Sequence, residues 1–320
     1  MAQAIKYKPF DDRSYHTLVR IPMHHTLSQL PRLMPLYIKA LTRRKNGLQR
    51  NESVPSFSAE APFSITSSWL TEYKDICHWP YDSVPLLAAQ VYAAPIHTYL
   101  LAHNHCPVPM LGLVHAGNHI TCHTPLALDT PLTVKVWFGA TRWKAKGYEF
   151  DLHTAIKQQD DEGDWSQAPW QACTSIFRSV PKSLQELDQN FQAVAEEIPN
   201  QPHMQSHTLS LEADLGRRYG KIAGDRNPIH LYPWSARLFG FKKPIIHGMW
   251  TLARSLSLLV PHNDQHTFDQ GSLTVRFKKP ISLPSEIETY VDQSESTHTE
   301  MYVLNAKKQL ALKADYNPNP

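Results

Sequence analysis

The segment from Tyr219 to His230 reads YGKIAGDRNPIH and brings three reactive side chains close together. A carboxylate at Asp225, an amide and an imidazole at His230 fall within six residues of one another. Gly224 and Pro228 keep these residues from forming a regular helix or strand, so a bent loop is expected. A bent loop can aim a carboxylate and an imidazole at one small molecule, whereas the same spacing on a helix turns them apart. The pattern therefore predicts a site for proton transfer.

A second segment, IHGM at residues 246–249, lies shortly after the first. Together the two segments resemble the MaoC-like family, the R-specific enoyl-CoA hydratases and 3-hydroxyacyl dehydratases of the hot-dog fold. The family pattern is an aromatic, an aliphatic and a small residue, then G-D-x-N-P-aliphatic-H, five residues, and Ala or Ser, which is Ala236 here. One position departs, because Ala223 stands where the family usually has Ser, Thr, Gly or Cys. The departure leaves the carboxylate and the imidazole in place and removes a hydroxyl near the site.

The resemblance implies an α+β fold of the double hot-dog type, in which each of two repeats is an antiparallel sheet wrapped around a central helix. It also implies a hydro-lyase that reversibly hydrates 2-enoyl thioesters or dehydrates (R)-3-hydroxyacyl thioesters. In that reaction Asp225 and His230 would hold one water and move its protons. The backbone N–H of Gly248, at the start of a central helix, would donate to the thioester oxygen, because unpaired amides and the helix dipole favour negative charge. We expect no cofactor.

Five further residues are expected to bind substrate. Tyr219 would line the acyl pocket or cap the loop, and Met249 follows the oxyanion donor. Asn227 would hold the loop, because Asn favours local bonds between its side chain and the backbone. Arg276 and Lys278 lie on the strand after the central helix, where the family often presents a basic residue to the carrier's phosphates. The alternative for these two cations is a solvated strand face.

The other histidines receive no catalytic role from the sequence. His247 stands alone before a helix, and such a histidine is most often a cap or a satisfied buried group. Six histidines between residues 97 and 123 suggest a metal at first sight. They follow helix, loop and strand without converging carboxylates or cysteines, so we expect no metal site.

Composition and charge narrow the classes of protein. The chain of 320 residues is 42% hydrophobic, which suffices for the cores of two domains. Its four cysteines lack a C-x-x-C motif and are interpreted as reduced thiols. The first residues lack an apolar signal region and no later run is long enough to span a bilayer, so a cytoplasmic protein without a membrane span is expected. A net charge of +3 is too small to favour a nucleic-acid partner.

Four parts are expected along the chain: a basic extension at 1–54, a degenerate hot-dog domain at 55–190, a linker at 191–205 and a catalytic domain at 206–320. Residues 1–50 carry ten Lys or Arg against two Asp. Within them, Met34, Tyr37 and Ile38 belong to a three- and four-residue apolar pattern that predicts a short amphipathic helix beginning near Pro31 or Pro35. The helix would pack on the domain surface. A docking surface for an acidic carrier protein and a peripheral membrane contact are the alternatives.

The two domains are interpreted as repeats. Residues 125–132 align with residues 280–287 at an offset of 155, each after a strand that follows a buried helix. In the first domain we expect a strand over 63–74, a buried helix over 84–101 that Pro95 kinks or divides, and strands over 112–121, 132–141, 148–157 and 170–179. In the second we expect strands over 206–213, 272–278, 285–292, 300–304 and 310–314, and a helix over 247–260. Residues 65–85 contain nothing like the GDRNPIH pattern, so one active site per chain is expected.

Three functions remain open at this point. The first is a hydro-lyase acting on acyl-CoA, with the degenerate domain supplying a pocket for medium or long acyl chains. The second is a dehydratase acting on acyl-carrier-protein thioesters of fatty-acid or polyketide synthesis, which the basic N-terminal region favours mildly. The third is a non-catalytic subunit that binds acyl thioesters. A homodimer is compatible with each, although a fused pair of repeats can already form a closed sheet dimer.

Overall fold

The computed structural model describes residues 23–185, 204–259, 268–295 and 297–319. Most of the expected linker at 191–205 and the first 22 residues of the basic extension lie outside these ranges.

The described residues form one continuous sheet of eleven strands. The strands are β1 His24–Thr26, β2 Ser58–Phe63, β3 Leu113–Cys122, β4 Leu132–Lys144, β5 Gly147–Gln158, β6 Trp170–Ser179, β7 Gln205–Leu211, β8 Gly271–Phe277, β9 Ser285–Glu295, β10 His298–Leu304 and β11 Leu310–Asn317. Their spatial order is β1-β2-β4-β5-β6-β3-β8-β11-β10-β9-β7. The strands expected from the sequence after residue 100 are present, each with its ends shifted by a few residues.

The sheet consists of two half-sheets with the same internal order. Apart from the short β1, which extends the first half at its outer edge, each half runs inward as first, third, fourth, fifth and second strand: β2-β4-β5-β6-β3 and β7-β9-β10-β11-β8. The halves join where β3 pairs antiparallel with β8. In that pairing His119 lies directly opposite Thr274, and its Nδ1 is 2.8 Å from the threonine Oγ1. These two positions are 155 residues apart, which is the repeat offset in the sequence, so the local twofold axis passes between them.

Seven α-helices occur in the described ranges, and the central ones pack against the sheet. They are α1 Leu33–Thr42, α2 Ser67–Cys77, α3 Ala88–Tyr92, α4 Ala94–Ala102, α5 Leu215–Ala223, α6 Pro233–Arg237 and α7 Gly248–Leu256. The central helices are α3 with α4 in the first half and α7 in the second, and the latter buries Trp250, Leu252 and Leu256. The indole of Trp250 donates to the carbonyl of Ile76 at 2.9 Å, which ties α7 to α2 across the two halves. This is the double hot-dog arrangement that the sequence led us to expect.

One expected element is wrong, because residues 63–74 were predicted as a strand. Strand β2 ends at Phe63, and helix α2 begins four residues later. Its first turn is capped by the hydroxyl of Thr66, which accepts from the N–H of Trp69. The buried residues Leu70, Tyr73 and Ile76 recur at the three-residue spacing of one helix face. The spacing of the apolar residues in this segment is therefore that of a helix. Only its aromatic residues favour a strand.

The buried helix expected over 84–101 is present in two pieces. Helix α3 ends at Tyr92, Ala93 forms the junction, and α4 begins at Ala94. Pro95 lies in the first turn of α4, where its missing N–H costs no helical hydrogen bond. The expected division at this proline is confirmed.

The N-terminal segment is bound to the first half of the sheet. The predicted amphipathic helix is α1, and the short strand β1, which was not expected, pairs parallel with β2. After α1, the ammonium of Lys45 donates to the carbonyls of Leu101 and His103 at 2.7 and 3.0 Å, at the end of α4. The segment is thus held at both ends of α1.

All four cysteines are buried and unpaired by disulfides. No helix in the described ranges is both long enough and apolar enough to cross a membrane.

Candidate active site

The signature loop, residues 224–230, is shaped by the end of α5 and by a short 3-10 turn. Gly224 terminates α5 with a φ of 73°, a left-handed conformation that glycine adopts without strain. Asn227 then caps the 3-10 turn Pro228–His230, its side chain accepting from the N–H of Ile229 at 3.4 Å. This bond is local, between a side chain and the backbone two residues on. The loop holds Asp225 and His230 on the same side.

Close packing against α5 fixes the loop in place. Leu215, Tyr219 and Ala223 recur every four residues and are buried, whereas Arg218 and Lys221 are exposed. Gly220 lies on the same buried face, and a Cβ there would approach the carbonyl oxygen of Asp225 to 2.6 Å. The absence of a side chain at this position lets the helix and the loop touch.

The two carboxylate oxygens of Asp225 have different surroundings. Oδ1 accepts from the N–H of Asn227 at 3.1 Å and from the hydroxyl of Tyr37 at 3.2 Å. Oδ2 lies 3.9 Å from Nε2 of His230 and 3.8 Å from Nε2 of His247. Burial raises the pKa of Asp225, but the two histidines, the Asn227 N–H and the Tyr37 hydroxyl together hold it below its ordinary value. The carboxyl is therefore ionised at neutral pH.

The hydrogen bond on the far side of the His230 ring determines its tautomer. Nδ1 lies 2.7 Å from the carbonyl oxygen of Ile245, and a carbonyl only accepts, so Nδ1 carries the proton. Burial lowers the pKa of His230 below its ordinary value, against the smaller opposing effects of Asp225 and the Ile245 carbonyl. The neutral ring therefore presents the lone pair of Nε2 toward Asp225.

His247 connects the start of α7 to the signature loop. Its Nε2 donates to the backbone carbonyl of Asp225 at 2.9 Å, and its ring stacks on His230 with centroids 3.6 Å apart. Burial, and then the neighbouring His230, lowers its pKa to about 3, so it is a neutral donor. It occupies the cap position of α7 but makes no capping bond through its side chain. The sequence interpretation was a cap or a satisfied buried group; the ring is buried and its Nε2 is hydrogen-bonded, while its Nδ1 has no hydrogen-bond partner among the described residues.

The oxyanion donor expected at Gly248 is the first residue of α7. The amides of a first helical turn have no acceptor within the helix and point along the positive end of its dipole. Gly248 and Met249 both line the cavity that contains Asp225. A Cβ on Gly248 would approach the ring of Phe277 to 2.6 Å. A glycine here therefore lets the aromatic wall close over the helix terminus.

A single cavity joins the site to the first half of the protein. Its volume is about 670 Å³. On the catalytic side it is lined by the signature loop, the start of α7 and Phe277, and on the other side by α3, α4, β3, β5 and β6. The lining is mostly apolar, with Val91, Leu101 and Ile176 among its residues in the first half.

The corresponding loop of the first half carries no such site. Helix α2 follows the first strand of its half as α5 does, and it also ends in a left-handed residue, His78. The next residue is Trp79, where the second half has Asp225. Trp79 is buried and packs edge-on against Tyr81 and Phe268. Aromatic rings thus fill the place that Asp225 has in the second half.

Most of the residues singled out from the sequence line the cavity. These are Tyr219, Asp225, Asn227, His230, Gly248, Met249 and Lys278. Arg276 is not among them, and its guanidinium lies 3.9 Å from a carboxylate oxygen of Glu149 on β5. Tyr219 is fully buried beside His247, with ring centroids 5.0 Å apart. The sequence interpretation missed the contribution of Tyr37, which is 188 residues from its partner and carries no local signal.

A metal ion has few donors at this site. Ligand atoms of Asp225, His230 and His247 lie within 4.8 Å of one another. The proton on Nε2 of His247 points at a backbone carbonyl, so this nitrogen has no lone pair to give. Apart from Nδ1 of His247, which has no hydrogen-bond partner among the described residues, one carboxylate and one imidazole remain, which is fewer than the ligands of a catalytic zinc.

Comparison with known proteins agrees with this geometry. Residues 194–313 match the MaoC like domain. The chain is 29% identical to 3-hydroxyacyl-thioester dehydratase X of Mycobacterium tuberculosis over 215 residues, 67% of this chain and 71% of that protein. It is 28% identical to the peroxisomal enoyl-CoA hydratase 2 of Arabidopsis thaliana over 159 residues, 46% of this chain and 49% of that protein.

A solved structure extends the likeness to the whole fold. The crystal structure of HtdX of Mycobacterium tuberculosis superposes with a TM-score of 0.64 at 26% sequence identity. The match covers 82% of this chain and 98% of that one, so it includes both half-sheets. The chain therefore carries a MaoC-like dehydratase domain at residues 194–313, within a double hot-dog fold.

Proposed function

We propose that this protein is a hydro-lyase that adds water to 2-enoyl thioesters and removes it from (R)-3-hydroxyacyl thioesters. The observation that carries the proposal is the 3.9 Å separation of Asp225 Oδ2 and His230 Nε2 inside the cavity. Both atoms are acceptors, because the carboxyl is ionised and the proton of the imidazole is on Nδ1. One water between them donates a hydrogen to each, which turns its oxygen lone pairs toward the substrate.

The hydration step follows from this placement. The water oxygen bonds to C3 of the enoyl group while one of the two bases takes a proton from it. Electrons move from the double bond onto the thioester oxygen, where the N–H of Gly248 and the α7 dipole stabilise the charge. The same proton then returns to C2, which restores the base and leaves a hydroxyl on C3. Dehydration is this sequence in reverse.

The acyl chain extends into the first half of the protein in our proposal. The cavity continues from Asp225 to the faces of α3 and α4, and its walls there are mainly aliphatic. A cavity of about 670 Å³ is within the range of sites that bury most of a drug-sized ligand, which accommodates medium or long chains. The degenerate half would thus contribute the pocket for the chain end.

For the carrier of the thioester we propose coenzyme A. Lys278 and Lys279 line the cavity on the side of α7, where their charges would attract phosphates. An acyl carrier protein is the second candidate, supported by α1, on which Met34 and Ile38 are more than half exposed. An apolar face next to the exposed cations that follow it at residues 43 and 44 is complementary to a small acidic protein.

The decisive experiment follows the loss of absorbance of the conjugated thioester. Crotonyl-, octenoyl- and decenoyl-CoA are each mixed with the wild type, Asp225→Asn and His230→Ala. We expect turnover in the wild type and a loss of at least about 100-fold in each variant. The control is Asp75→Asn, on the exposed face of α2, which removes a carboxylate outside the cavity.

The remaining outcomes separate the alternatives. Activity only on four-carbon chains would contradict the long pocket. Activity only on carrier-protein thioesters would favour the second candidate, and Met34→Glu with Ile38→Glu should then reduce it selectively. Tight binding of acyl-CoA without turnover on either carrier would indicate a non-catalytic subunit. The cytoplasmic location and the homodimer stay predictions, tested by fractionation and by light scattering.

A further inference from the structure

We propose that Tyr37, on the N-terminal helix α1, positions the Asp225 carboxylate for the hydration step, so that α1 is a working part of the active site. This inference rests on the proposed function and extends it beyond residues 194–313, the matched family domain. Tyr37 is a positioning residue in this account, because it acts on the substrate through Asp225.

The contact of α1 with the signature loop has two adjoining points. Leu33 packs on Gly224, where a Cβ would come within 2.5 Å of its methyl carbon. Tyr37 is one helical turn further along the same face, and its hydroxyl reaches Asp225 Oδ1 at 3.2 Å. A side chain at position 224 would displace the methyl group of Leu33. The same glycine therefore ends α5 and makes room for a side chain of the helix that carries Tyr37.

The helix is held in position from both sides. Before it, β1 pairs with β2. After it, Lys45 binds the last carbonyls of α4. A hydroxyl on an anchored helix is already in place when substrate arrives, which reduces the ordering that catalysis requires.

The hydrogen bond from Tyr37 gives the two carboxylate oxygens of Asp225 different functions in our proposal. Oδ1 is occupied by the tyrosine hydroxyl and by the N–H of Asn227, and Oδ2 faces the catalytic water position beside His230. The last torsion of an aspartate is broad and nearly twofold, so a carboxylate held at one point can turn. Two donors on the same oxygen restrict that rotation and keep Oδ2 directed at the water.

Tyr37 remains a donor throughout the physiological range. Its pKa is raised, first by burial and then by the charge of Asp225, and these effects outweigh the backbone N–H of Arg226. The titratable or charged groups that act on Asp225 or lie beside it are Tyr37, His115, Tyr219, Arg226, His230 and His247. Burial lowers the pKa of His115 to about 4, so this ring is neutral as well.

The test is Tyr37→Phe, which removes one oxygen and keeps the ring that packs between α1 and the loop. We expect kcat to fall roughly 10-fold with little change in KM, since a hydrogen bond to the charged group is lost while the cavity is kept. Carbon-13 titration of the Asp225 carboxyl, assigned by its absence in Asp225→Asn, should show a higher pKa in Tyr37→Phe than in the wild type. Thermal unfolding should be nearly unchanged.

Tyr99→Phe is the matched control. The hydroxyl of Tyr99 also holds the N-terminal segment, through Nδ1 of His25 at 2.7 Å, but it does not line the cavity. Its loss should leave kcat and the titration of Asp225 as in the wild type. Equal effects of the two substitutions would overturn the proposal. They would indicate instead that each hydroxyl only helps to hold the N-terminal segment against the rest of the protein.

Two further results distinguish a failure of the inference about Tyr37 from a failure of the proposed function. An unchanged kcat and an unchanged carboxyl titration in Tyr37→Phe would overturn the inference about Tyr37. If the wild type turns over no acyl thioester, the proposed function fails, and the carboxyl titration still decides whether Tyr37 controls Asp225.

Discussion

The imidazole of His247 donates to the backbone carbonyl of Asp225, 22 residues earlier in the chain, over 2.9 Å. This bond joins the two sequence segments of the site through the main chain of one and the side chain of the other. The stacked ring of His230 lies against the same imidazole. The residue that the sequence left without a function therefore links the signature loop to the start of α7.

Replacing His247 with phenylalanine should impair catalysis more than folding. Phenylalanine keeps the stacking area but removes the N–H, which leaves the Asp225 carbonyl without its partner. We expect kcat/KM to fall about 10- to 100-fold and the free energy of unfolding to fall by about 1–3 kcal/mol. Steady-state kinetics and denaturant unfolding measure the two effects. Full activity in this variant would mean that the loop holds its position without the bond.

Alanine at position 248 should collide with the aromatic wall of the cavity. The added Cβ would lie 2.6 Å from the ring of Phe277, so the ring or the helix start must move. We expect a loss of about 100-fold in kcat/KM and a destabilisation of about 1–3 kcal/mol. The double variant Gly248→Ala with Phe277→Leu relieves the collision and should recover stability. Wild-type kinetics for Gly248→Ala would argue against an oxyanion role for this amide.

The pH dependence of hydration should have only an acid limb in the neutral region. The proposed mechanism requires an ionised Asp225 and a neutral His230, and the pKa values of both lie below their ordinary values. A lowered imidazole pKa means that the neutral ring persists below pH 6.5, its ordinary value. We therefore expect kcat/KM to be constant from about pH 7 upward to about pH 9 and to fall with a midpoint below 6.5. A midpoint above 6.5 in the wild type would show that the histidine is charged more readily than its burial implies.

Filling the first-half part of the cavity should shorten the accepted acyl chain. Val91 is buried and lines the cavity on α3, and phenylalanine there would occupy the space that the chain end takes in our proposal. Val91→Phe should lose most of its activity on decenoyl-CoA while keeping that on crotonyl-CoA. The ratio of the two kcat/KM values measures the change. Parallel loss on both substrates would indicate a general disturbance of the fold instead.

Much of the site was accessible from the sequence because its determinants are local. Gly224, Asp225, Asn227 and His230 lie on one loop, and turn chemistry alone predicts that they do not continue a helix. The repeat also follows from the sequence, since its offset can be read directly and the sheet order shows the same two halves. The bonds that shape the loop itself, from the N–H of Asn227 to Asp225 and from the N–H of Ile229 to Asn227, are ones that a short segment provides by itself.

Other features needed the folded chain because their causes are distant in sequence. Tyr37 reaches Asp225 across 188 residues, and nothing near it distinguishes this tyrosine from a residue that packs on the surface. Arg276 follows the strand pattern expected for a phosphate contact, yet its guanidinium is beside Glu149, which belongs to the other half-sheet. Helix α2 was mistaken for a strand because Trp69 and Tyr73 have high strand propensity, and packing against α5 and α7 overrides it.

The pairing of His119 with Thr274 determines how the association of the two half-sheets responds to dilution of the protein. In a dimer of separate hot-dog chains this pair of strands would be an intermolecular contact. The two chains would then dissociate as the protein concentration falls. Here both edges belong to one polypeptide, so the pair closes by a first-order step and its occupancy does not depend on how much protein is present. Because the two repeats are joined in one chain, they need not carry the same residues. Aromatic rings around Trp79 can therefore stand in the first repeat at the place where the second repeat has Asp225.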